Sequence, residues 1–220
     1  MLFRSTKFEM KKILIATILI AASAQSTWAA GLDSLELFIK TVKTGRSDFT
    51  QTVTAPPRDG QAARTKKSTG SFEFSRPGRF KFIYKKPFEQ FIVADGQTLW
   101  LYDVDLNQVT ARKQALALGA TPAALIASAS DMAALRVDFT LTPLPDSDGL
   151  EWVQATPKAK DSSLQHVRVG FKGADLAALD ILDSFGQLSS MRFTTLASNV
   201  ALDANSFAFK PPVGADLIRQ

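Results

Sequence analysis

The 220-residue chain has no cysteine and a single histidine, His166. Without cysteine it has no disulfides, thiolate metal sites, iron–sulfur clusters or cysteine nucleophile. One imidazole leaves no histidine cluster to build a zinc or iron centre. Glycine (12) and proline (10) are too few for a fibrous chain, and 45% apolar against 21% charged residues is too greasy for a disordered one. A packed globular body remains, of a length that suits one domain or at most two small ones. Charge of one sign is scarce as well: 26 Lys+Arg against 21 Asp+Glu give a formal charge of only +5.

Part of that excess belongs to the amino terminus. Arg4, Lys7, Lys11 and Lys12 precede the apolar run Ile13 to Ala22, and small residues with Trp28 follow. This is the order of a secretory signal, and the run is too short to span a bilayer. Cleavage after Ala29 places Thr27 and Ala29 at the two small-residue positions, so residues 1–29 are expected to be removed and 30–220 to form one domain. Met10-Lys11-Lys12 is a sufficient signal start by itself, which leaves Met1 and Met10 as alternative initiators. Without residues 1–29 the count is 22 basic against 20 acidic residues, a charge of +2. No cysteine stands at the cleavage point to be acylated and no later stretch approaches 18 apolar residues. The expectation is a soluble, unanchored protein of an extracytoplasmic space.

Asp33-Ser-Leu-Glu36 has the form of a capping box, and Leu35, Phe38, Ile39 and Val42 recur at helical spacing, predicting a helix that ends near Gly45. From Asp48 the period is two, with Phe49, Gln51 and Val53 on one face. A polar basic stretch (56–67) leads to strands over 69–75, 79–85, 90–94 and 98–102, separated by Pro77-Gly78, Pro87 and Asp95-Gly96. Thr121-Pro122 opens a helix over 123–129, with another turn over 131–135. Strands follow at 137–143, 150–156, 164–171, 178–182, 188–196 and 207–210. About eleven strands with no helix between successive ones predict a mainly β, antiparallel meander that curls or closes into a barrel.

The chain offers little for catalysis. His166 lies opposite Val167, Val169 and Phe171 and reads as solvent-facing. Asp103-Val-Asp105-Leu-Asn107 opens like a calcium loop, but Gln108 stands where glycine is needed and Gln114 where a bidentate glutamate is needed, so it reads as a hairpin connection. There is no G-x-S-x-G, phosphate loop or G-x-G-x-x-G. Two acids distant in sequence can meet in space, yet no nucleophile–base pair is identifiable and the expectation is a protein that is not an enzyme and holds no cofactor or metal. Arg64-Thr-Lys66-Lys67 and Lys85-Lys86 are short basic runs in a +2 domain. They read as solvated loop ends, not as a nucleic-acid site; an acidic protein or an anionic membrane would suit them better.

Aromatic residues are concentrated instead. Phe72, Phe74, Phe80, Phe82, Tyr84, Phe88, Phe91, Trp100 and Tyr102 fall within one stretch, on strands whose other faces carry Ile83, Ile92, Leu99 and Leu101. A sheet apolar on both faces must cover both. The residues leave two readings: a large self-filled core with one face under the helices, or a barrel too wide to fill itself that holds an apolar ligand.

Phe74-Ser-Arg-Pro-Gly-Arg-Phe80, Pro87, Val93-Ala-Asp-Gly-Gln-Thr-Leu-Trp-Leu-Tyr-Asp103 and Gln108-Val109 together resemble the signature of the LolA family, periplasmic carriers of outer-membrane lipoproteins. Phe49-Thr-Gln51, Thr121-Pro-Ala-Ala-Leu-Ile126 and Phe207-Ala-Phe-Lys-Pro-Pro-Val-Gly214 fall where that family has similar segments. The resemblance implies an incomplete antiparallel barrel with a lid of short helices over a hydrophobic cavity. It implies a periplasmic, monomeric carrier whose cargo is the acyl chains of lipoproteins, received from an inner-membrane ABC-type releasing complex and delivered to an outer-membrane receptor of the LolB type. By the same resemblance Arg76 is the lid latch, bonded to lid carbonyls. Phe49, Phe80, Phe82, Tyr84, Phe91, Val93 and Trp100 would line the acyl-chain cavity, and Leu35, Phe38, Ile39, Leu125 and Ile126 the lid. For the residues alone Arg76 is equally a strand-end surface charge. The competing class is a lipid or lipoprotein sensor built on the same half-barrel.

Overall fold

Period-two patterning builds one long, curled sheet. The computed structural model describes residues 30–57, 62–115, 124–203 and 205–220; the expected signal segment 1–29 and the expected Thr121-Pro122 helix start lie outside the described residues. Helix α1 (Ala30–Thr41) precedes β1 (Thr44–Ala55), β2 (Arg64–Ser75), β3 (Arg79–Lys86), β4 (Gln90–Ala94), β5 (Thr98–Asp103) and β6 (Gln108–Lys113). A single π-helical turn (Ala124–Ser128) and helix α2 (Met132–Asp138) interrupt the strands. Then come β7 (Phe139–Ser147), β8 (Leu150–Pro157), β9 (Leu164–Lys172), β10 (Asp175–Asp183), β11 (Leu188–Phe193), β12 (Ala197–Ser198) and β13 (Asp216–Arg219).

The strands lie in the order β13-β6-β5-β4-β3-β2-β1-β11-β10-β9-β8-β7, with the short β12 against the start of β1. Neighbours are antiparallel, as the pattern predicts, except that β13 joins β6 in parallel. Among the described residues the two ends of this order do not pair, so the sheet stays open between β7 and β13. One buried cluster takes Phe72, Phe82 and Leu99 from one half of the sheet and Leu141, Val169 and Phe171 from the other, together with Leu35, Phe38 and Ile39 of α1. Side chains from strands so far apart in the order meet only if the sheet curls round, and α1 occupies the hollow. The result is a half-barrel closed by helices. Among the described residues no helix is long and apolar enough to cross a membrane.

Close packing at the centre of the hollow depends on a glycine. Gly70 on β2 faces Phe49 on β1 in register, and the Phe49 ring also meets Tyr84 edge-on at 5.1 Å. A Cβ at residue 70 would come within 2.1 Å of the Ile83 carbonyl oxygen and 2.8 Å of the Phe49 ring. The backbone oxygen cannot swing aside as a side chain would. Gly70→Ala is expected to cost about 1–3 kcal/mol by overpacking, measured as a lower urea midpoint with unchanged slope; an unchanged midpoint would show that β2 and β3 can part there without loss.

Several boundaries differ from the sequence expectation. Helix α1 includes Ala30-Gly-Leu32, ahead of the Asp33 cap that the sequence suggests, because nothing in those residues prevents helix and Asp33 serves equally within it. Gly45 belongs to β1. The basic stretch Arg64-Thr-Lys66-Lys67, expected as loop ends, extends β2 beyond the core. Gln108–Lys113 and Asp216–Arg219 are strands that were not expected, whereas Phe207 to Lys210 is turn and extended chain and not a strand. Asp131 caps α2 as a turn start should, its carboxylate accepting from the Ala134 N–H at 2.8 Å.

Candidate functional site

One side chain of the sheet reaches both lid segments. Arg76 opens the turn between β2 and β3, where the Ser75–Arg79 pair closes the hairpin. Its Nε donates to the carbonyl of Val42, just past α1, at 3.0 Å, and its Nη1 donates to the carbonyl of Ala129, just past the π turn, at 2.9 Å. Its guanidinium lies 5.0 Å from the Phe38 ring and 5.7 Å from that of Phe74, a stacked site that suits the planar group. Nη2 is buried with no hydrogen-bond partner among the described residues. Burial pulls the pKa of Arg76 down from 12.5 to about 10; it stays cationic at neutral pH, and the shift measures the cost of holding a dehydrated cation. The turn adds two main-chain bonds, Arg76 N–H to the Lys43 carbonyl and Gly78 N–H to the Ala127 carbonyl, both at 2.8 Å.

Register decides which aromatic rings face the hollow. Phe80, Phe82 and Tyr84 on β3 pair with Phe74, Phe72 and Gly70 on β2, and Phe49 joins them across β1. Leu35, Phe38, Ile39 and Ile126 of the lid are buried against this face, and Leu125 belongs to the same turn as Ile126. At the end of the hollow away from Arg76, a groove of about 500 Å³ opens between Gln51, Ser68, Tyr84, Gln90 and Asp103, with Phe88 and Leu106 at its rim. Burial raises the Tyr84 hydroxyl to a pKa of about 12, a hydrogen bond with Gln51 only partly offsetting it.

Three expected cavity residues lie on the other face. Ala94 pairs with Phe80 and Ile92 with Phe82, so Ile92 and Ala94 point into the hollow and Phe91 and Val93 point out. Trp100 pairs with Val93 and points out too. The correction has a physical cause: β4 and β5 are apolar on both faces, and alternation alone does not say which face is which. The outer rings are covered by the chain between β12 and β13. Phe209 lies 5.4 Å from Trp100, and Phe207 is buried beneath Arg79. Trp100 Nε1 donates to Asp95 at 2.9 Å, fixing the hairpin that the Asp95-Gly96 pair predicts.

The family model described as outer membrane lipoprotein carrier protein LolA matches residues 40–210. The chain belongs to this family. It is 67% identical over 209 residues to an outer-membrane lipoprotein carrier protein of Albidiferax ferrireducens, covering 93% of this chain and 98% of that one. A protein of the same description from Leptothrix cholodnii is 49% identical, covering 99% and 97%. Among solved structures, a LolA superfamily protein from Nitrosomonas europaea aligns at a TM-score of 0.46 and 11% identity, covering 82% of this chain and 98% of that one.

In this LolA-family chain the polar partners of the expected latch were not readable from sequence. Val42 and Ala129 act through their carbonyls, and side-chain patterns carry no signal for that. The outer cover is partly readable: the alternation Phe207-Ala-Phe209 has the pattern of a strand, whereas the structure lays it over the outer rings. His166 is half-buried on β9, its pKa lowered by burial and by Arg168, and it stands apart from the hollow.

Proposed function

We propose that this protein carries lipoproteins through the periplasm, taking their acyl chains into the hollow now filled by α1 and the π turn. In this reading it works as a monomer after loss of residues 1–29, without cofactor or covalent chemistry. Cargo comes from an inner-membrane ABC-type releasing complex and passes to an outer-membrane receptor of the LolB type. The observation that carries the reading is the closure of an aromatic-lined hollow by helices that are fastened by a few hydrogen bonds, those of the Arg76–Gly78 turn and that of Ser34 with Glu151, and not by strand pairing. Such a closure can open without unzipping the sheet. Burying one acyl chain of roughly 15 methylenes at about 0.8 kcal/mol each is worth up to about 12 kcal/mol, ample to displace Leu35, Phe38 and Ile39 from the hollow.

Native mass spectrometry of the protein purified from periplasm tests the reading. A bound lipoprotein is the expected result. Free phospholipid alone would point to a lipid sensor, and apolar-free protein under conditions of active lipoprotein export would overturn the carrier reading.

A further inference from the structure

The turn that carries Arg76 is itself held from behind. Gln114, the residue after β6, is 4% exposed, and both ends of its amide are used. Nε2 donates to the Gly78 carbonyl at 2.7 Å, and Oε1 accepts the Gly96 N–H at 2.9 Å. A carbonyl on one side and an N–H on the other admit only this orientation of the amide. The Gln114 main-chain N–H donates to the Gln97 carbonyl at 2.8 Å. Gly78 has a φ of +72°, and a Cβ there would stand 3.1 Å from Gln114 Nε2, so glycine both makes the turn and admits the amide.

Gly78 is therefore gripped from two sides. Its carbonyl is held by Gln114, while its N–H reaches the Ala127 carbonyl in the π turn. The two grips differ in kind. Gln114 joins the β2–β3 turn to the β4–β5 turn, both parts of one continuous run of paired strands. Gly78 N–H and Arg76 Nη1 join that run to residues 127 and 129 of the lid. If the lid leaves, nothing in the second set survives, while nothing in the first set has reason to break.

We propose that Gln114 is the positioning residue of the Arg76 latch. It stays bonded to Gly78 and Gly96 when the lid moves, and holds the Arg76–Gly78 turn as the stationary jaw onto which the lid closes. This rests on the carrier reading. Without Gln114 the turn follows the departing lid, and Arg76 no longer meets Val42 and Ala129 in one fixed geometry.

Amide hydrogen exchange of the mature wild-type protein, with and without a synthetic triacylated cysteinyl lipopeptide, tests this. On loading, the Gly78 amide should lose protection at least tenfold while the Gly96 amide changes less than twofold. Loss of protection at both, or at neither, with the lipopeptide demonstrably bound, overturns the jaw. A lipopeptide that does not bind at all overturns the carrier reading first. A second arm uses Gln114→Leu, loaded with fluorescent lipopeptide and mixed with outer-membrane vesicles. Delivery should slow about tenfold with uptake unchanged, and the same substitution in an Arg76→Leu background should add nothing further. Equal slowing in both backgrounds would mark Gln114 as a general packing residue and defeat the proposal.

Discussion

Arg76→Leu should leave uptake of acylated cargo intact and slow its delivery on the order of a hundredfold. In the closed protein Arg76 makes two hydrogen bonds to carbonyls, and bonds from a charged donor contribute about 1.5–3 kcal/mol each. Against them stands dehydration: a pKa drawn down to about 10 corresponds to about 3 kcal/mol against the cation. The closed latch is thus strong in its contacts and nearly balanced in its net worth. In the proposed carrier cycle loading tips that balance, because a guanidinium beside acyl chains keeps the dehydration and loses the carbonyls. Release lets the lid return and restores both bonds, which offsets part of the energy of withdrawing the chains from the hollow.

Leucine removes both sides of the exchange. The empty closed state loses its two bonds and leaves the Val42 and Ala129 carbonyls less satisfied, while the loaded state gains an apolar wall. Both changes deepen the loaded well. A net shift of about 3 kcal/mol is about two powers of ten in rate if release limits delivery. The check is to load the variant with triacylated lipopeptide, mix it with outer-membrane vesicles and follow transfer; wild-type delivery by a folded, loaded Leu variant would remove the latch from the mechanism. Arg76→Lys should fall between, since an ammonium keeps the charge but lacks the planar fork that reaches two carbonyls and lies on two rings.

How much of this was legible in the sequence follows from where each signal resides. Turn chemistry is local, so Pro77-Gly78 and Asp95-Gly96 set the ends of β3, β4 and β5 almost to the residue. Facing is not local. On β3 only one face is aromatic, and Phe80, Phe82 and Tyr84 were placed together correctly. On β4 and β5 Phe91, Val93 and Trp100 compete with Ile92, Leu99 and Leu101, and only the register of Ala94 against Phe80 assigns the faces. The parallel β13 was unreadable because four residues carry too little pattern and its partner lies over a hundred positions earlier. Arg76 was singled out by family resemblance, but its acceptors are main-chain atoms 34 and 53 positions away. Gln114 carries no local signal beyond spoiling a calcium loop, because its partners at Gly78 and Gly96 are main-chain atoms of two distant turns.

The assignment of faces makes the second large prediction a paired one. Phe80 is 2% exposed, sits opposite Phe74 and Ala94 and meets Phe82 edge-on at 6.0 Å. A carboxylate there enters the hollow among apolar rings, where the guanidinium of Arg76, 5.7 Å from the Phe74 ring, is already committed to the Val42 and Ala129 carbonyls. Phe80→Glu should therefore lose about 3–5 kcal/mol of stability and, at a temperature where circular dichroism shows it folded, bind no triacylated lipopeptide. Phe91 is one position from the same face yet on the outside, stacked on Tyr102 at 5.9 Å in an outer groove that also holds Lys81, Lys210 and Phe209. A carboxylate there has water and two ammonium groups within the groove, so Phe91→Glu should cost about 1 kcal/mol and bind the lipopeptide within twofold of wild type. The two substitutions are the same in chemistry and differ only in which side of the sheet receives the charge. Loss of binding by folded Phe91→Glu would put the acyl chains on the outer face, and retained binding by folded Phe80→Glu would take them out of the hollow; either result would reverse the assignment that the strand register makes.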